Sequence, residues 1–466
     1  MSSYKRWFNL LVWAVTSILI VSSCAPAATP AAVPTAAALP ANITITVWVQ
    51  ANQVEEYRGK NIVTAAELLN KELGGKTTVK VEANIDSAGW ADYKKKALLA
   101  FEAKTGPDII LSGHEDVAPW GDNGYILPLD EWIKKYSSVT DNIIPMLWKS
   151  TEYKGKRWAI PQDTEARPMF WSKPALKKLG WSEADINGLP DKIKSGQFTL
   201  QDLLETAKQM QDKGVVEKGN GFWTRWGQGN DWYEFYYSFG GQLQDPASGK
   251  LVMVKDAWQK HYQFFYDVFN TYAVCRKDTI GASSSKVIYP GVTSGNIGFY
   301  FGGIWQWSDW AANYIKDKGG EAYLFDTLGY GLIPASTKGG KPTTVTHPLV
   351  YMVSSQSKYP EIAFRLLMLA SSDELNTLHA VGSSHLGINK TQASYPAYAS
   401  AKFLQSTTYM LDYTNFIPNH SKFSVYDNIT WKALTAVAAG EMKPDQAVKL
   451  VEDELKAQIG SDVIFK

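Results

Sequence analysis

The first third of the chain alternates between strand-like and helix-like patterns of apolar residues. Residues 43–49 (ITITVWV) alternate and are β-branched, which predicts a strand, and residues 54–73 follow with a helical pattern that ends at a glycine pair. The alternating stretch TTVKVEAN predicts a second strand. Apolar residues at helical spacing over 90–101 predict a second helix, and the apolar run 109–111 predicts a buried third strand. This order predicts an α/β lobe built on a parallel sheet.

The same pattern indicates where a ligand would lie. Ligands of open parallel sheets bind beyond the carboxyl ends of the strands, so the residues that follow Val49 and Leu111 are predicted to face a binding site. Further along the chain, residues 349–354 predict another strand. Residues 359–372 and 443–459 carry apolar stripes at helical spacing, which predict two more helices.

The N-terminal segment has the pattern of a targeting signal. Lys5 and Arg6 precede an apolar run, residues 10–21, that is shorter than the roughly 20 residues a membrane-spanning helix needs. Two serines then lead to Cys24, and Val-Ser-Ser-Cys resembles the bacterial lipobox, in which cleavage leaves a lipidated N-terminal cysteine. We therefore expect residues 1–23 to be a lipoprotein signal peptide and Cys24 to carry a lipid anchor. The alternative is an ordinary signal peptide with an incidental cysteine.

Residues 24–42 predict a flexible tether behind this anchor. The stretch is rich in Ala and Pro and has no charge and no large aromatic side chain. It therefore buries too little apolar surface to offset the entropy of ordering, and it should hold a folded body away from a membrane surface. Stable attachment of this kind needs more than one acyl chain.

Composition narrows the possible classes. The part after Cys24 is too long for one ordinary domain, which predicts two. A net charge of +1 from 47 basic and 46 acidic residues gives no sign of a nucleic-acid partner. Cys275 would be the only cysteine left besides a lipidated Cys24, and the six histidines are scattered. We therefore expect no disulfide, no metal and no cofactor.

The unusual feature of the composition is its aromatic content of 13%, with 18 Trp. The aromatics concentrate in two windows, residues 221–237 and 299–314, where glycines interrupt any regular period. We expect most of these rings to be core and a few to line a cleft, where they would stack on the C–H faces of sugar rings while carboxylates and amides bind hydroxyls. The few arginines, widely spread, disfavour a phosphate ester as ligand.

Six stretches resemble family 1 of the extracellular solute-binding proteins, the maltose-binding-protein-like receptors of bacterial ABC sugar transporters. They occur in family order along nearly the whole mature chain: ITVWVQ, TGPDIILSGHEDVAPWGDNGYILPLDEWI, YKGKRWAIPQDTEARPMFWSKPAL, FYFGGIWQWSDW, KYPEIAFRLLMLASSDE and KPDQAVKLVEDEL. The resemblance implies a two-lobed periplasmic-binding-protein-like fold of type II, with three interlobe crossovers and a ligand cleft between the lobes. It places the first lobe at 43–165 and 347–384, and the second at 166–346 and 385–466.

The resemblance also implies which side chains contact the ligand. The expected ligand-binding residues follow the strands, lie near the crossovers or belong to the aromatic windows: Gln50, Asn52, His114, Glu115, Asp116, Glu165, Asp231, Trp232, Trp305, Trp307 and His347. Among them, Trp305 is the ring expected to stack on sugar. Ser112 stands where the best-known family member has an aromatic, so stacking in the first lobe is expected to be lost or to come from Trp120 or Trp48.

The residues alone leave purely structural roles open for some of these positions. The run His114, Glu115 and Asp116 could form a solvated loop, and His347, which precedes a proline, could simply cap a strand. Arg167 is expected to pair with neighbouring acids, as is Arg157.

Together these features predict an extracytoplasmic, monomeric receptor, attached to the cell membrane by its lipidated Cys24, and not an enzyme. Its expected partners are a small carbohydrate and the membrane permease subunits of an ABC transporter, with their cytoplasmic ATPase. Two alternatives stay open. A surface-anchored glycoside hydrolase also has a Trp-lined cleft with paired carboxylates. A receptor for another solute, such as a polyol or a peptide, would share the fold.

Overall fold

The structure of the chain, a computed structural model, describes residues 39–466. The predicted signal peptide, Cys24 and most of the predicted tether lie outside the described residues. Among the described helices, none combines the length and the apolar character needed to cross a membrane. Cys275, the cysteine within the described part, is buried and has a free thiol.

Strands occur along the whole described chain. Their bounds are β1 (Asn42–Gln50), β2 (Thr78–Asp86), β3 (Ile109–Gly113), β4 (Glu152–Tyr153), β5 (Lys156–Arg157), β6 (Ile160–Pro161), β7 (Met169–Ser172), β8 (Phe222–Thr224), β9 (Leu251–Met253), β10 (Phe299–Phe301), β11 (Leu328–Gly331), β12 (Thr344–Thr346), β13 (Leu349–Val353), β14 (Thr414–Phe416) and β15 (Val463–Phe465).

Helices fill most of the connections, together with short 3₁₀ and π turns. Their bounds are α1 (Tyr57–Glu72), α2 (Trp90–Glu102), α3 (Val117–Asp122), α4 (Asp130–Lys135), α5 (Ser137–Thr140), α6 (Lys173–Leu179), α7 (Glu183–Asn187), α8 (Leu189–Lys194), α9 (Leu200–Asp212), α10 (Tyr233–Ser238), α11 (Lys255–Tyr266), α12 (Tyr289–Thr293), α13 (Gln306–Asn313), α14 (Glu321–Thr327), α15 (Pro360–Ala370), α16 (Asp373–Ser383), α17 (Pro396–Ser400), α18 (Lys402–Thr407), α19 (Phe423–Ala439) and α20 (Pro444–Gln458).

The first lobe is built on a five-stranded sheet with the order β2-β1-β3-β13-β6. Strands β1, β2 and β3 run parallel, which confirms the strand–helix pattern predicted for the first third of the chain. One strand departs from a purely parallel sheet, since β13 pairs antiparallel with both β3 and β6, and β6 therefore runs in the same direction as β3. The predicted helices at 54–73 and 90–101 are confirmed as α1 and α2.

Helices cover both faces of this sheet. In β3, Ile109 and Leu111 belong to one apolar cluster with residues of α1 and α15, whereas Ile110 belongs to a second cluster with Tyr93 and Phe101 of α2. Alternate residues of a strand point to opposite faces, so the two clusters lie on opposite sides of the sheet. Burial on both faces explains why the sequence of β3 is a continuous apolar run.

The second lobe is built on a four-stranded sheet with the order β11-β7-β10-β8. Strand β7 pairs antiparallel with β10 and β11, and β8 pairs parallel with β10. The largest apolar cluster of the described chain surrounds this sheet and takes in most rings of both aromatic windows. The predicted C-terminal helix is confirmed as α20, whose residues Val451 and Leu455 are fully buried in the same cluster.

Three segments connect the lobes. Residues 162–168 lead from β6 in the first sheet to β7 in the second, and residues 347–348 lead from β12 back to β13. The third segment follows α16, where Leu386 exchanges backbone hydrogen bonds with Thr164 of the first segment. These bonds hold the first and third segments side by side.

Candidate functional site

A cavity of about 280 Å³ lies between the two lobes, and we call it the interlobe cavity. Both lobes and all three connecting segments contribute to its wall. The lining residues are Glu55, Arg58, Trp90, Lys94, Gly113, Glu115, Glu165, Arg167, Arg225, Gln228, Gly229, Asn230, Trp305, His347, Leu349 and His385.

The first-lobe wall comes from the carboxyl ends of the parallel strands. Glu55 and Arg58 follow β1, and Glu115 follows β3, as the parallel-sheet argument predicted for the segments after these strands. Trp90 and Lys94 both lie on α2, four residues apart, which puts them on one face of that helix. The first lobe therefore presents one ring and several charged groups to the cavity.

Lys94 organises the acids of this wall. Its ammonium bonds Glu115 Oε1 at 2.6 Å and Asp116 Oδ2 at 2.8 Å. The other oxygen of Glu115, Oε2, lies 2.5 Å from His347 Nε2. Burial opposes ionisation of Glu115, but His347 and Lys94 outweigh burial and hold the pKa of its carboxyl well below the ordinary value. Ser112, whose hydroxyl donates to Asp116 at 2.5 Å, completes this group as a buried structural residue.

A second buried network lies where Arg58 meets the connecting segments. Its guanidinium is 2.9 Å from Glu55 and 3.3 Å from Asp163, and it lies 3.4 Å from His385 Nε2. Asp163 Oδ1 also accepts the backbone N–H of Leu349, which begins β13. Arg58 thus ties the first helix of the first lobe to all the elements that bring the chain across.

The second-lobe wall is built around Trp305. A side chain at Gly303 would meet the Trp305 ring at 1.6 Å, so only glycine lets the ring fold back over this turn. The guanidinium groups of Arg167 and Arg225 lie 4.7 and 4.9 Å from the ring centroid, within cation–π range. His385 lies nearly parallel to the ring, at 16° and 6.1 Å between centroids. The half-buried ring is therefore held in place while part of it faces the cavity.

Buried carboxylates surround these guanidinium groups. Arg167 bonds both Glu165 and Asp231, and Arg225 donates to the two oxygens of Asp231 at 2.9 and 3.0 Å. Glu234 lies 3.9 Å from Arg167. Burial raises the pKa of Glu165 to about 7, because the loss of water outweighs the attraction of Arg167. Burial also raises the pKa of Glu234 well above its ordinary value.

Four of the residues proposed from the sequence line the interlobe cavity together: Glu115, Glu165, Trp305 and His347. Asp116 and Asp231 stand directly behind them, since each bonds a lining cation. His114 is fully buried behind the first-lobe wall, where its Nδ1 lies 2.9 Å from Asn419 Oδ1. The expected pairing of Arg167 with neighbouring acids is confirmed.

Other proposed residues lie outside the cavity wall. The amide of Gln50 donates to the carbonyl of Ala88, and Asn52 is exposed and accepts the backbone N–H of Val54. Glu55 and Arg58 follow in the same loop and in the first turn of α1. They line the cavity at the place that was expected for Gln50 and Asn52.

Trp232 and Trp307 are core residues, which corrects their expected place in the cleft. Trp307 is 1% exposed, stacks on Phe403 at 4.2 Å and 3°, and donates its indole N–H to Glu321. Trp232 is 3% exposed and packs against Trp226, with the ring centroids 4.5 Å apart. In both cases the neighbouring rings cover the faces that a sugar would need.

The aromatic ring that the first lobe contributes to the cavity is neither of the two that were expected. Trp120 is buried against Phe101, and Trp48 packs beside the second cluster of that lobe with Lys96 over its ring. Trp90 lines the cavity instead. Its position four residues before Lys94 on α2 was the signal that sequence reasoning missed.

The small number of arginines in the sequence does not indicate how many of them lie at the site. Three arginines, Arg58, Arg167 and Arg225, line the interlobe cavity together with Lys94. Each of the four cations is bonded to at least one carboxylate. The cavity therefore offers many fixed donors and acceptors in neutralised pairs rather than a cationic surface for a phosphate.

Comparison with known proteins places this geometry in a family. A model described as bacterial extracellular solute-binding protein matches residues 60–376. A maltotriose-binding protein of Pyrococcus abyssi is 26% identical over 87 residues, and this match spans 19% of the chain and 19% of that relative's length.

Solved structures share the fold over almost their whole length. Maltose-bound MalE3 of T. maritima is 18% identical, with a TM-score of 0.70, over 89% of this chain and 99% of that one. The GacH receptor of Streptomyces glaucescens, solved unliganded and in complex with acarbose, is 20% identical with a TM-score of 0.69, over 90% and 98%. The maltotriose-bound MalE domain of Bdellovibrio bacteriovorus is 17% identical with a TM-score of 0.67, over 90% and 100%.

These structures establish the two-lobed type II fold of the periplasmic binding proteins. The family model covers well over half of the chain, including the first-lobe wall from Trp90 onwards, the first two connecting segments and the turn that carries Trp305. The chain belongs to the family of bacterial extracellular solute-binding proteins.

Proposed function

We propose that this protein captures a carbohydrate in the interlobe cavity and delivers it to the permease of an ABC transporter. The observation that carries the proposal is the half-buried Trp305 ring, surrounded by carboxylates and guanidinium groups that are bonded to one another. A sugar ring has an apolar C–H face and an edge of hydroxyls, so it needs an aromatic plate beside fixed donors and acceptors.

The charge balance of the cavity favours a neutral ligand. Arg58, Lys94, Arg167 and Arg225 are paired with acids, so a phosphate or carboxylate ligand would have to compete with carboxylates already in place. A hydroxyl can instead accept from a guanidinium and donate to a carboxylate without breaking an ion pair. The relatives whose descriptions name maltose, maltotriose and acarbose support the same class of ligand.

A thermal-shift screen of the soluble body against mono- and oligosaccharides tests this proposal. A ligand present at about 100 times its dissociation constant should raise the free energy of unfolding by about 2.7 kcal/mol. Polyols and short peptides serve as the alternative ligands in the same screen. Stabilisation by peptides alone, with none by any sugar, would contradict the carbohydrate proposal.

The proposal that the protein is a receptor rather than a glycoside hydrolase needs its own test. A hydrolase requires two carboxyl groups roughly 5 to 9.5 Å apart across the scissile bond, one of them protonated. Glu165, with its raised pKa, and Glu115 are the lining acids that invite the comparison. We expect the wild-type protein to return a bound oligosaccharide intact after long incubation. Shortened sugar from the wild type, but not from Glu165→Gln, would make Glu165 a catalytic acid.

We propose Cys24, which ends the Val-Ser-Ser-Cys stretch, as a lipid anchor that holds the protein at the membrane where the permease lies. The change Cys24→Ala should leave a folded body that binds sugar but no longer fractionates with membranes, or that keeps its signal peptide. Fractionation and N-terminal mass analysis distinguish the outcomes. A cleaved Cys24→Ala protein that still stays in the membrane fraction would exclude the lipid anchor.

A further inference from the structure

Two groups of histidine and carboxylate side chains lie together within the described residues. His114, Glu115 and His347 form one group, and their potential ligand atoms lie within 4.8 Å of one another. Asp163, His379 and His385 form the other group, with the same spacing limit. Their donor sets are alike, so the surroundings decide what each group can hold.

The second group is already occupied by a fixed cation of the protein. The Arg58 guanidinium lies 3.3 Å from Asp163 Oδ2 and 3.4 Å from His385 Nε2. A metal ion at this place would have to displace the guanidinium from both of these atoms, whereas Lys94 in the first group contacts the Glu115 oxygen that a metal would not use. We therefore assign this group a structural role, the joining of α1 to the connecting segments.

The first group contains a buried nitrogen with a free lone pair. The Asn419 amide donates to the carbonyls of Ser150 and Glu152 at 2.7 and 3.1 Å, which makes Asn419 Oδ1 an acceptor. His114 Nδ1, at 2.9 Å from that oxygen, must therefore be the donor, and the proton of the neutral ring sits on Nδ1. His114 Nε2 is then unprotonated, and it is buried with no hydrogen-bond partner. A buried acceptor without a partner is unfavourable and calls for an explanation.

The other two members of the group present their ligand atoms at the cavity. Glu115 Oε2 and His347 Nε2 lie 2.5 Å apart, and both residues line the interlobe cavity. Lys94 holds the other oxygen of Glu115, so Oε2 is kept turned towards His347. Second partners of this kind, an amide oxygen on one imidazole and a cation on the carboxylate, fix the orientation of ligands in metal sites.

We propose that His114 Nε2, Glu115 Oε2 and His347 Nε2 bind a first-row divalent metal ion such as Zn²⁺. Two imidazoles and one carboxylate suit Zn²⁺, and a site with three protein ligands keeps a position open. Zn²⁺ bonds of about 2.0–2.2 Å place ligand atoms about 3.3 Å apart, so small rotations of the Glu115 and His347 side chains complete the site. The metal takes the place of the hydrogen bond between Glu115 Oε2 and His347 Nε2, and its open position faces the cavity.

This assignment gives the site a ligand chemistry of its own. The open position takes water or an oxygen of whatever occupies the interlobe cavity, a hydroxyl or a carboxylate. The proposal does not rest on the sugar proposal, because the metal alone is the probe. A solute-binding site that carries a metal would bind its ligand differently with and without a chelator, whichever solute it takes.

Equilibrium dialysis of untagged, chelator-stripped protein against Zn²⁺, followed by elemental analysis, tests the proposal. We expect about one Zn²⁺ per chain. The changes His347→Gln and Glu115→Gln should each weaken binding by more than about 100-fold, beyond the 10- to 100-fold loss typical of an outer partner. Both side chains are partly exposed, so these variants should fold. His420→Gln, which removes a partly buried histidine outside both groups, is the matched control and should leave binding unchanged.

Asn419 separates a metal site from a merely structural cluster. Asn419→Ala should weaken Zn²⁺ binding by about 10- to 100-fold, and Asn419→Asp, which keeps an acceptor for His114 Nδ1, should restore most of it. Cu²⁺ added as a spectroscopic probe should show two imidazole nitrogens in wild type and one in His347→Gln. Absence of stoichiometric Zn²⁺ binding in wild type, or binding that survives both His347→Gln and Glu115→Gln, would overturn the assignment.

Discussion

Trp305 and Trp307 lie two residues apart and have opposite surroundings. Trp305 is half-buried at the interlobe cavity, with two guanidinium groups over its ring. Trp307, inside α13, is 1% exposed and stacked face to face on Phe403. Both follow the same glycine pair in a Gly- and Trp-rich window, so composition alone gives no reason to separate them.

The difference between the two positions lies in what covers each ring. A ring in the core is covered on both faces by other rings, and its indole N–H finds an internal acceptor, here Glu321. Trp305, at the cleft, has two guanidinium groups near its ring and keeps part of its surface open to the cavity. Substitutions at the two positions should therefore affect different quantities, stability at one and affinity at the other.

The largest effect is expected from Trp307→Ala. Loss of a fully buried aromatic leaves a cavity and should lower the free energy of unfolding by about 3–5 kcal/mol, measured by chemical denaturation. The folded fraction should keep its affinity for sugar. Trp307→Phe, which retains the stacking on Phe403, is the control and should lose much less stability. A stable Trp307→Ala protein that no longer binds sugar would reverse the assignment of the two rings.

Trp305→Ala should give the opposite result. Loss of its contact with a sugar should weaken binding by about 1.5–3 kcal/mol, roughly 10- to 150-fold in dissociation constant. The thermal midpoint without ligand should change little, because the ring is only partly covered. Trp305→Phe should keep part of the affinity. A large loss of stability with unchanged affinity would place Trp305 in the core.

Trp90 extends the comparison to the first lobe. It lines the cavity opposite Trp305, whereas Trp48 does not, although both are partly buried. Trp90→Ala should weaken sugar binding by about 0.5–1.5 kcal/mol, the value of an aromatic contact beyond simple burial. Calorimetric titration with sugar measures both variants. Trp48→Ala is the matched control and should leave the affinity unchanged. Equal effects of the two changes would exclude a stacking role for Trp90.

A change in affinity as small as that of Trp90→Ala is expected at Glu165. Glu165→Gln keeps one acceptor and should weaken sugar binding by about 0.5–1.5 kcal/mol. The same change should also alter how the stability of the protein depends on pH. The pKa of Glu165 is raised to about 7 in the folded protein from 4.5, so the folded state holds the proton more tightly. Stability from this group is present below pH 4.5 and is lost as the pH rises through 7.

Melting temperatures of the wild type and Glu165→Gln, measured from pH 4 to 8, test the direction of this pH dependence. Relative to Glu165→Gln, which carries no titrating group, the wild type should lose stability as the pH rises from about 5 to 8. The physical reason is burial, because the loss of water around the Glu165 carboxyl outweighs the attraction of Arg167. Parallel curves for the two proteins would show that folding leaves the pKa of Glu165 unchanged.

Much of the first lobe could be predicted because burial leaves a local pattern. The alternation Ile43, Ile45, Val47 and Val49 records one buried face of β1, and the run in β3 records burial on both faces. The position of Glu115 followed from the same argument, since it comes directly after a parallel strand. The resemblance of six short stretches supplied the second lobe and the crossovers, where periodicity is weak.

The side chains that complete the site could not be predicted because their neighbours are distant in sequence. Arg58 meets His385 across 327 positions, and Glu115 meets His347 across 232. Histidines that look scattered in the sequence are gathered by the connecting segments. In the aromatic windows, glycines remove the period that would separate core from cleft, so Trp232 and Trp307 could not be told apart from Trp305.

A calorimetric titration is the most direct test of a carbohydrate site built around Trp305. Wild type and Trp305→Ala are titrated side by side with the sugar that gives the largest thermal shift. We expect saturable binding of one sugar per wild-type chain, weakened about 10- to 150-fold in the variant, with both proteins equally folded. No saturable binding of any sugar by the wild type, or the same affinity in both proteins, would contradict a carbohydrate site built around Trp305.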